Sequence, residues 1–225
     1  MCRIDCERPL PDSAVGMSDR STNDASKRAY YVGREPSPEL GRHYFRHLGP
    51  VGTVLDVGCG TGGLGRHRPS AKIVVHGVDV DPGAIDLARS HEEAVCVDLV
   101  VSPLPYDDQV FDAVLAKDVL EHFHDPARLV REIFRVLRPG GVVVASVIMA
   151  KPRRVWDDYT HVRGFTRRSA CLVLEDAGFC IESVWRMGSV PLSNRLRFVS
   201  LVPHIMKVPG LHQVWASSWE LKARK

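Results

Sequence analysis

The chain predicts an α/β fold, a parallel sheet with helices on both faces. Apolar strand-like runs alternate with helical stretches between Thr53 and Ile148, and a glycine-rich turn follows the first run at once. Alternation of this kind is what βαβ units require, because parallel neighbours can only be joined by crossovers. At 225 residues the chain has room for one such domain with a sizeable core.

The elements follow in order. Residues 1–28 are rich in Pro, Asp, Ser and Arg, have no sustained period, and are expected to be disordered; residues 29–225 are expected to form the domain. From Ser37, S-P-E-L-G-R-H-Y-F-R-H-L reads as a capped helix with Pro38 in its first turn and Leu40, Tyr44, Phe45 and Leu48 on one face, ended by Gly49-Pro50. The strands are then TVLDV, KIVVHGVDV, AVCVDL, VFDAVLAKD and GGVVVASVI, with helices from Pro82 to about His91 and from Pro126 to about Leu137. After Met149 a polar stretch reaches Gly164, and Thr166 then caps a helix closed by Gly178. CIESVWRM and SSWELKARK read as a closing pair of strands, with an amphipathic helical insert at about 191–208 between them.

Composition excludes little but points one way. Hydrophobic and charged fractions of 44% and 25% are ordinary for a globular domain, and the net charge of +3 is spread along the chain. Nothing there calls for nucleic acid. There is no apolar run long enough to span a bilayer and no secretory signal at the start, so the expectation is a cytoplasmic protein without membrane insertion, monomeric or homodimeric. The six cysteines form no C-x-x-C pairs and read as reduced thiols, with no metal site expected.

The turn V-L-D-V-G-C-G-T-G-G-L-G puts Asp56 at a strand end, followed by Gly58, Gly60 and Gly62. Glycine lets backbone turn tightly and approach a ligand with no Cβ between. Dinucleotide-binding turns share this feature, but an acid in the turn repels a pyrophosphate and accepts from the ammonium of an amino-acid ligand. Asp79 ends the next strand, where its two oxygens suit ribose hydroxyls. Asp98 is expected to end a third, where an adenine amino group is read. Together they outline an adenosyl amino acid.

On these motifs the chain resembles the class I S-adenosyl-L-methionine (SAM)-dependent methyltransferases, in the large subgroup that includes quinone-biosynthesis methyltransferases. The resemblance runs from Val54 to Val147 through the glycine loop from Asp56 to Gly62, Asp79, Asp98, F-D-A-V-L-A-K-D-V-L-E-H-F-H-D-P and L-R-P-G-G. It implies SAM as cofactor, a Rossmann-like three-layer sandwich, and a seven-stranded, mostly parallel sheet with its last strand antiparallel. It implies cofactor contacts at Asp56, Gly58, Cys59, Gly60, Thr61, Gly62, Asp79, Asp98, Lys117, Asp118 and Val119. Val80 and Leu99 either sandwich the adenine or belong to the core, and Asp81 either caps a helix or touches the ligand.

Methyl transfer to a hydroxyl or an acidic carbon is helped by a general base, and histidine is the usual choice. His161, oriented by Asp158, is the first candidate, in the loop W-D-D-Y-T-H-V-R-G-F-T; His122, on the rim after the fourth strand, is the second, and His124 ranks lower. The alternative is a loop knit by its own hydrogen bonds. The D-Y-T-H-V-R-x-F-T run also resembles methyltransferases linked to glycan or natural-product assembly. Tyr30, Tyr31 and Arg34 suit a lid over the cofactor, and the 191–208 insert an apolar wall for the acceptor. The expectation is therefore methyl transfer from SAM to a small-molecule acceptor, with O-methylation favoured. Two competing readings are a SAM-binding or scaffold subunit without catalysis and an NAD-dependent oxidoreductase, the latter disfavoured by Asp56.

Overall fold

A computed structural model describes residues 37–188 and 216–225. The 1–28 segment, Tyr30, Tyr31, Arg34 and the 191–208 insert lie outside the described residues.

The first helix, α1 (Pro38–Leu48), starts where Ser37 Oγ accepts the Leu40 N–H and buries Tyr44, Phe45 and Leu48. It is followed by β1 (Thr53–Val57), the short α2 (Gly63–Arg66), β2 (Val74–Asp79), α3 (Pro82–Ala88) and β3 (Glu93–Cys96). Next come β4 (Phe111–Lys117), one 3₁₀ turn at Leu120–His122, α4 (Pro126–Val136), β5 (Leu137–Ile148) and α5 (Pro152–Trp156). The described chain ends with α6 (Arg167–Glu175), β6 (Cys180–Gly188) and β7 (Ala216–Arg224).

The sheet has seven strands in the order β3-β2-β1-β4-β5-β7-β6. The first five are parallel, and β7 lies antiparallel between β5 and β6. Alternation along each strand divides the core. Leu55 and Val57 of β1 pack with Leu129 and Ile133 of α4 and Leu174 of α6, whereas Val54 packs with Tyr44 and Leu48 of α1 on the other face. This is the Rossmann-like sandwich, with the antiparallel element the closing pair of strands predicts. Strand order reverses between β1 and β4, so a crevice opens at their carboxyl ends, where open α/β sheets bind ligands.

Four local expectations are corrected. The helix from Pro82 stops at Ala88 rather than His91, because its last turn tightens and both His91 and Glu92 donate N–H groups back to the Ala88 carbonyl. The third strand ends at Cys96, so Asp98 lies beyond it. There its Oδ1 accepts the Val100 N–H at 2.9 Å and its carbonyl accepts from Ser102, which makes it a turn-former. The fifth strand begins at Leu137, and Arg138 to Gly140 bulge out between the Phe111–Leu137 and Ala113–Val142 pairings. The polar stretch after Met149 holds α5, which at five residues is too short to show a period.

Candidate functional site

The glycine turn is fixed from below. Gly58, Gly60 and Gly62 have φ of 73°, 52° and 74°, so every second residue adopts the left-handed conformation that glycine tolerates. The N–H groups of Gly58 and Cys59 both donate to the Val78 carbonyl, at 2.8 and 3.0 Å, which ties the turn to the end of β2. Thr61 and Cys59 are buried within it. Asp79 joins two loops: its Oδ2 accepts the Gly60 N–H at 2.9 Å and its Oδ1 the Asp81 N–H at 3.0 Å. Asp81 in turn accepts from Gly83 and Ala84, so it is the cap of α3.

The remaining predicted cofactor residues fall around this turn in different ways. Val80, just past the end of β2, is 60% exposed, whereas Leu99 is buried and belongs to the core. A Cβ on Gly58 would lie 3.1 Å from Val119 Cγ2, so Val119 closes one side of the turn. Asp118 follows β4 with φ of 51°, its N–H donating to the Ser146 carbonyl at 3.0 Å and its Oδ1 accepting from Ser146 Oγ at 2.7 Å. Lys117 Nζ is ion-paired with its other oxygen. Burial opposes both charges, and the pairing outweighs it: the Asp118 carboxyl is held below its ordinary range and the Lys117 ammonium above.

Asp56 differs from its neighbours. It is only 1% exposed, lying beneath the turn rather than on the rim, and its Oδ2 has no hydrogen-bond partner. Burial, then the nearby Glu92 and Asp79, push its carboxyl well above the usual range.

The two candidate bases stand together. The rings of His122 and His161 have centroids 4.9 Å apart, tilted by 56°. His161 Nδ1 lies 3.0 Å from the Val155 carbonyl and His122 Nδ1 3.2 Å from the Thr160 carbonyl. A carbonyl only accepts, so each Nδ1 carries the proton and each Nε2 keeps its lone pair when the ring is neutral. His161 is close enough to Asp118 for its charge to favour the Asp118 carboxylate. Asp158 accepts from the N–H and hydroxyl of Thr160, at 3.1 and 2.6 Å. The ring of His161 thus faces the Val155 carbonyl, while the Asp158 carbonyl accepts the His161 N–H at 3.2 Å and the Asp158 side chain shapes the loop. His124 is exposed, and its carbonyl accepts from Arg163. Trp156 and Tyr159, 66% and 97% exposed, stand out from the same loop.

Sequence reasoning missed the buried polar groups under this rim. Tyr44 Oη donates to Glu220 Oε2 at 3.0 Å, and Ser218 Oγ donates to Glu220 Oε1 at 3.0 Å. Burial and the Asp118 charge push Glu220 up to about 7, and the same causes push Glu121 to about 8. Among the described residues, no three His, Cys, Asp or Glu side chains are grouped to hold a metal ion, and no helix is long and apolar enough to cross a membrane.

These raised acids imply a pH dependence of stability. Glu121 and Glu220 keep protons in the fold that the unfolded chain releases above about pH 4.3, so stability falls as pH rises toward about 8. His43, lowered to about 4 chiefly by burial, acts oppositely but only below about 6.5. The melting temperature is therefore expected to drop between about pH 6.5 and 8. Glu121→Gln, measured by thermal melts across that range, should remove up to about 2 kcal/mol of the drop. An unchanged slope would show that Glu121 ionises normally.

Similarity to known proteins agrees with this geometry. Residues 55–145 match a protein-family profile described as "Methyltransferase domain". A ubiquinone biosynthesis O-methyltransferase of Coxiella burnetii is 35% identical over 102 residues, 42% of this chain and 43% of that protein, so the match spans less than half of the relative's length. The crystal structure of a SAM-dependent methyltransferase from Archaeoglobus fulgidus superposes with a TM-score of 0.67 at 17% identity, covering 87% of this chain and 99% of the other. That of the [4+2]-cyclase SpnF superposes at 0.63 with 25% identity, covering 84% and 80%. The span from residue 55 to 145, with its glycine turn, its strand-end acids and the strand order around them, is a methyltransferase domain, and the chain carries the class I SAM-dependent methyltransferase fold.

Proposed function

We propose that the chain is an enzyme that binds SAM across the glycine turn and moves its methyl group to a small-molecule acceptor, with an oxygen as the favoured methyl-accepting atom. The observation that carries this reading is Asp79, whose carboxylate clamps Gly60 and Asp81 at the reversal of strand order and still has lone pairs to offer a ribose. The residues fit the cofactor. The turn is free of Cβ atoms at Gly58 and Gly60, Val80 gives an exposed apolar surface for a purine, and Asp79 supplies negative charge for a cationic ligand. The O-methyltransferase relative supports oxygen as the accepting atom.

When bound, SAM supplies an activated methyl on a sulfonium, so the chain's own work is alignment, exclusion of water and proton removal. Val119 and the turn hold one side of the crevice, and the Lys117–Asp118 pair fixes the end of β4. His161, set by the Val155 carbonyl, takes the acceptor hydroxyl proton at Nε2, and His122 braces its ring and the Thr160 backbone. Trp156 and Tyr159 offer aromatic surface to the acceptor. We place the reaction in the cytoplasm, a setting that suits cysteines spaced without C-x-x-C pairs.

Calorimetry tests cofactor choice: micromolar binding of S-adenosylhomocysteine (SAH), the demethylated product, is expected, with no binding of NAD. The reverse result would overturn the reading. Because a similar fold belongs to a protein described as a cyclase, the second arm measures transfer of labelled methyl to hydroxyl-bearing metabolites. Binding without transfer to any acceptor would favour a SAM-binding subunit.

A further inference from the structure

Two carboxyl groups lie under the glycine turn, and the proposed reaction uses neither directly. Asp56 on β1 and Gly77 on β2 stand opposite each other in register, so their side-chain positions share one face of the sheet. A Cβ on Gly77 would fall 2.3 Å from Glu92 Oε2 and 2.7 Å from Cys59 Sγ, and one on Gly65 would fall 2.2 Å from Glu92 Oε1. The Glu92 carboxyl therefore occupies a socket between α2 and β2 that two glycines open. Its Oε1 accepts the Gly65 N–H at 2.9 Å, just after the turn. Its Oε2 and Asp56 Oδ2 are both buried acceptors without a partner.

Two ionised carboxylates in such a place would repel each other and leave both oxygens unsatisfied. One proton held by the pair removes the repulsion and supplies a donor among these acceptors. The surrounding charges do not prevent this. Asp79 from β2 disfavours ionisation of Asp56, and Lys117 from β4 favours it. Arg68, after α2, and the Cys59 thiol favour the charged form of Glu92. Burial is the largest influence on both, and it pushes Glu92 up to about 7 and Asp56 upward as well.

We propose that Glu92 is a positioning residue for the cofactor: protonated, it donates from Oε2 to Asp56 Oδ2 and holds Gly65 and the glycine turn in the geometry that binds SAM. Loss of the shared proton leaves two anions under the turn and loosens it, so cofactor affinity falls as pH rises through about 7. The inference rests on the proposed SAM-binding reading.

The test is SAH calorimetry on the full chain between about pH 6 and 8. Wild type is expected to weaken roughly tenfold across that range, because about one proton is released per unbound turn. In Glu92→Gln, the amide oxygen still accepts from Gly65 and the amide NH₂ donates to Asp56 at every pH. This variant is expected to keep its pH 6 affinity throughout, a flattening that a purely structural role would not produce. If circular dichroism shows Glu92→Gln unfolded, wild-type calorimetry in buffers of different ionisation enthalpy decides: uptake of about one proton per SAH bound near pH 8 is expected, and no uptake overturns the inference. A variant that folds and titrates as wild type does overturns the inference and leaves SAM binding intact, as does a pH-independent wild type. Wild type that binds no SAH at any pH overturns the functional reading itself.

Discussion

Asp79→Ala is expected to weaken SAH binding at least about 100-fold while the protein stays folded. The carboxylate accepts one backbone N–H on each oxygen, from Gly60 and from Asp81, so the substitution releases the glycine turn and the loop into α3 together. Each bond to a charged acceptor contributes about 1.5–3 kcal/mol, and about 1.4 kcal/mol corresponds to tenfold in affinity. Loss of the proposed ribose contact adds to this. Asp79→Asn is the sharper control. Asn offers one carbonyl oxygen, and its NH₂ would face a backbone N–H, donor against donor, so one of the two bonds must break. It is therefore expected to lose affinity nearly as severely as Ala, although it preserves shape. Calorimetry with a melting curve for each variant checks both points, and an Asn variant with wild-type affinity would remove Asp79 from the cofactor site.

Much of this frame was readable in the amino-acid order because one physical signal dominated each part. TVLDV appears as β1 at its expected bounds, since a short apolar run before a glycine turn has no helical alternative. Ser37 and Thr166 start helices through side-chain oxygens that accept from the first turn, a local chemistry that needs no knowledge of the rest of the fold. What stayed hidden depends on tertiary contact. Glu220 lies on what reads as the polar face of β7, but α1 covers that face and brings the Tyr44 hydroxyl to it, so an apparent surface acid is fully buried. Glu92 follows an exposed helix end and shows no periodic pattern; only the packing of Gly65 and Gly77 around it reveals its place. Asp98 reads as a strand-end acid because its neighbours are apolar, whereas its own side chain makes a turn that ends the pairing early. Asp56 is placed in the right motif by its spacing, but spacing says nothing about which side of the turn its carboxyl takes.

His161→Ala is expected to lower kcat about 100-fold, with SAH affinity within about twofold of wild type, because positioned general bases contribute roughly 10²–10⁴ in rate. The ring is set by the Val155 carbonyl, which leaves Nε2 as the atom that accepts a proton, and its proximity to Asp118 places it beside the carboxyl end of β4. His122→Ala is expected to cost less, about tenfold, since its Nδ1 steadies the Thr160 carbonyl and its ring leans on His161. A structural role and a chemical one separate in the pH profile. Loss of a base removes the fall in kcat on the acid side, whereas loss of a loop brace lowers the whole profile and raises KM. His161→Gln sharpens the distinction, because its amide can donate to the Val155 carbonyl as Nδ1 does but cannot take a proton near neutral pH. It should hold the loop and remain as slow as Ala. A Gln variant with wild-type turnover would assign His161 to the loop and leave alignment by the crevice as the source of catalysis.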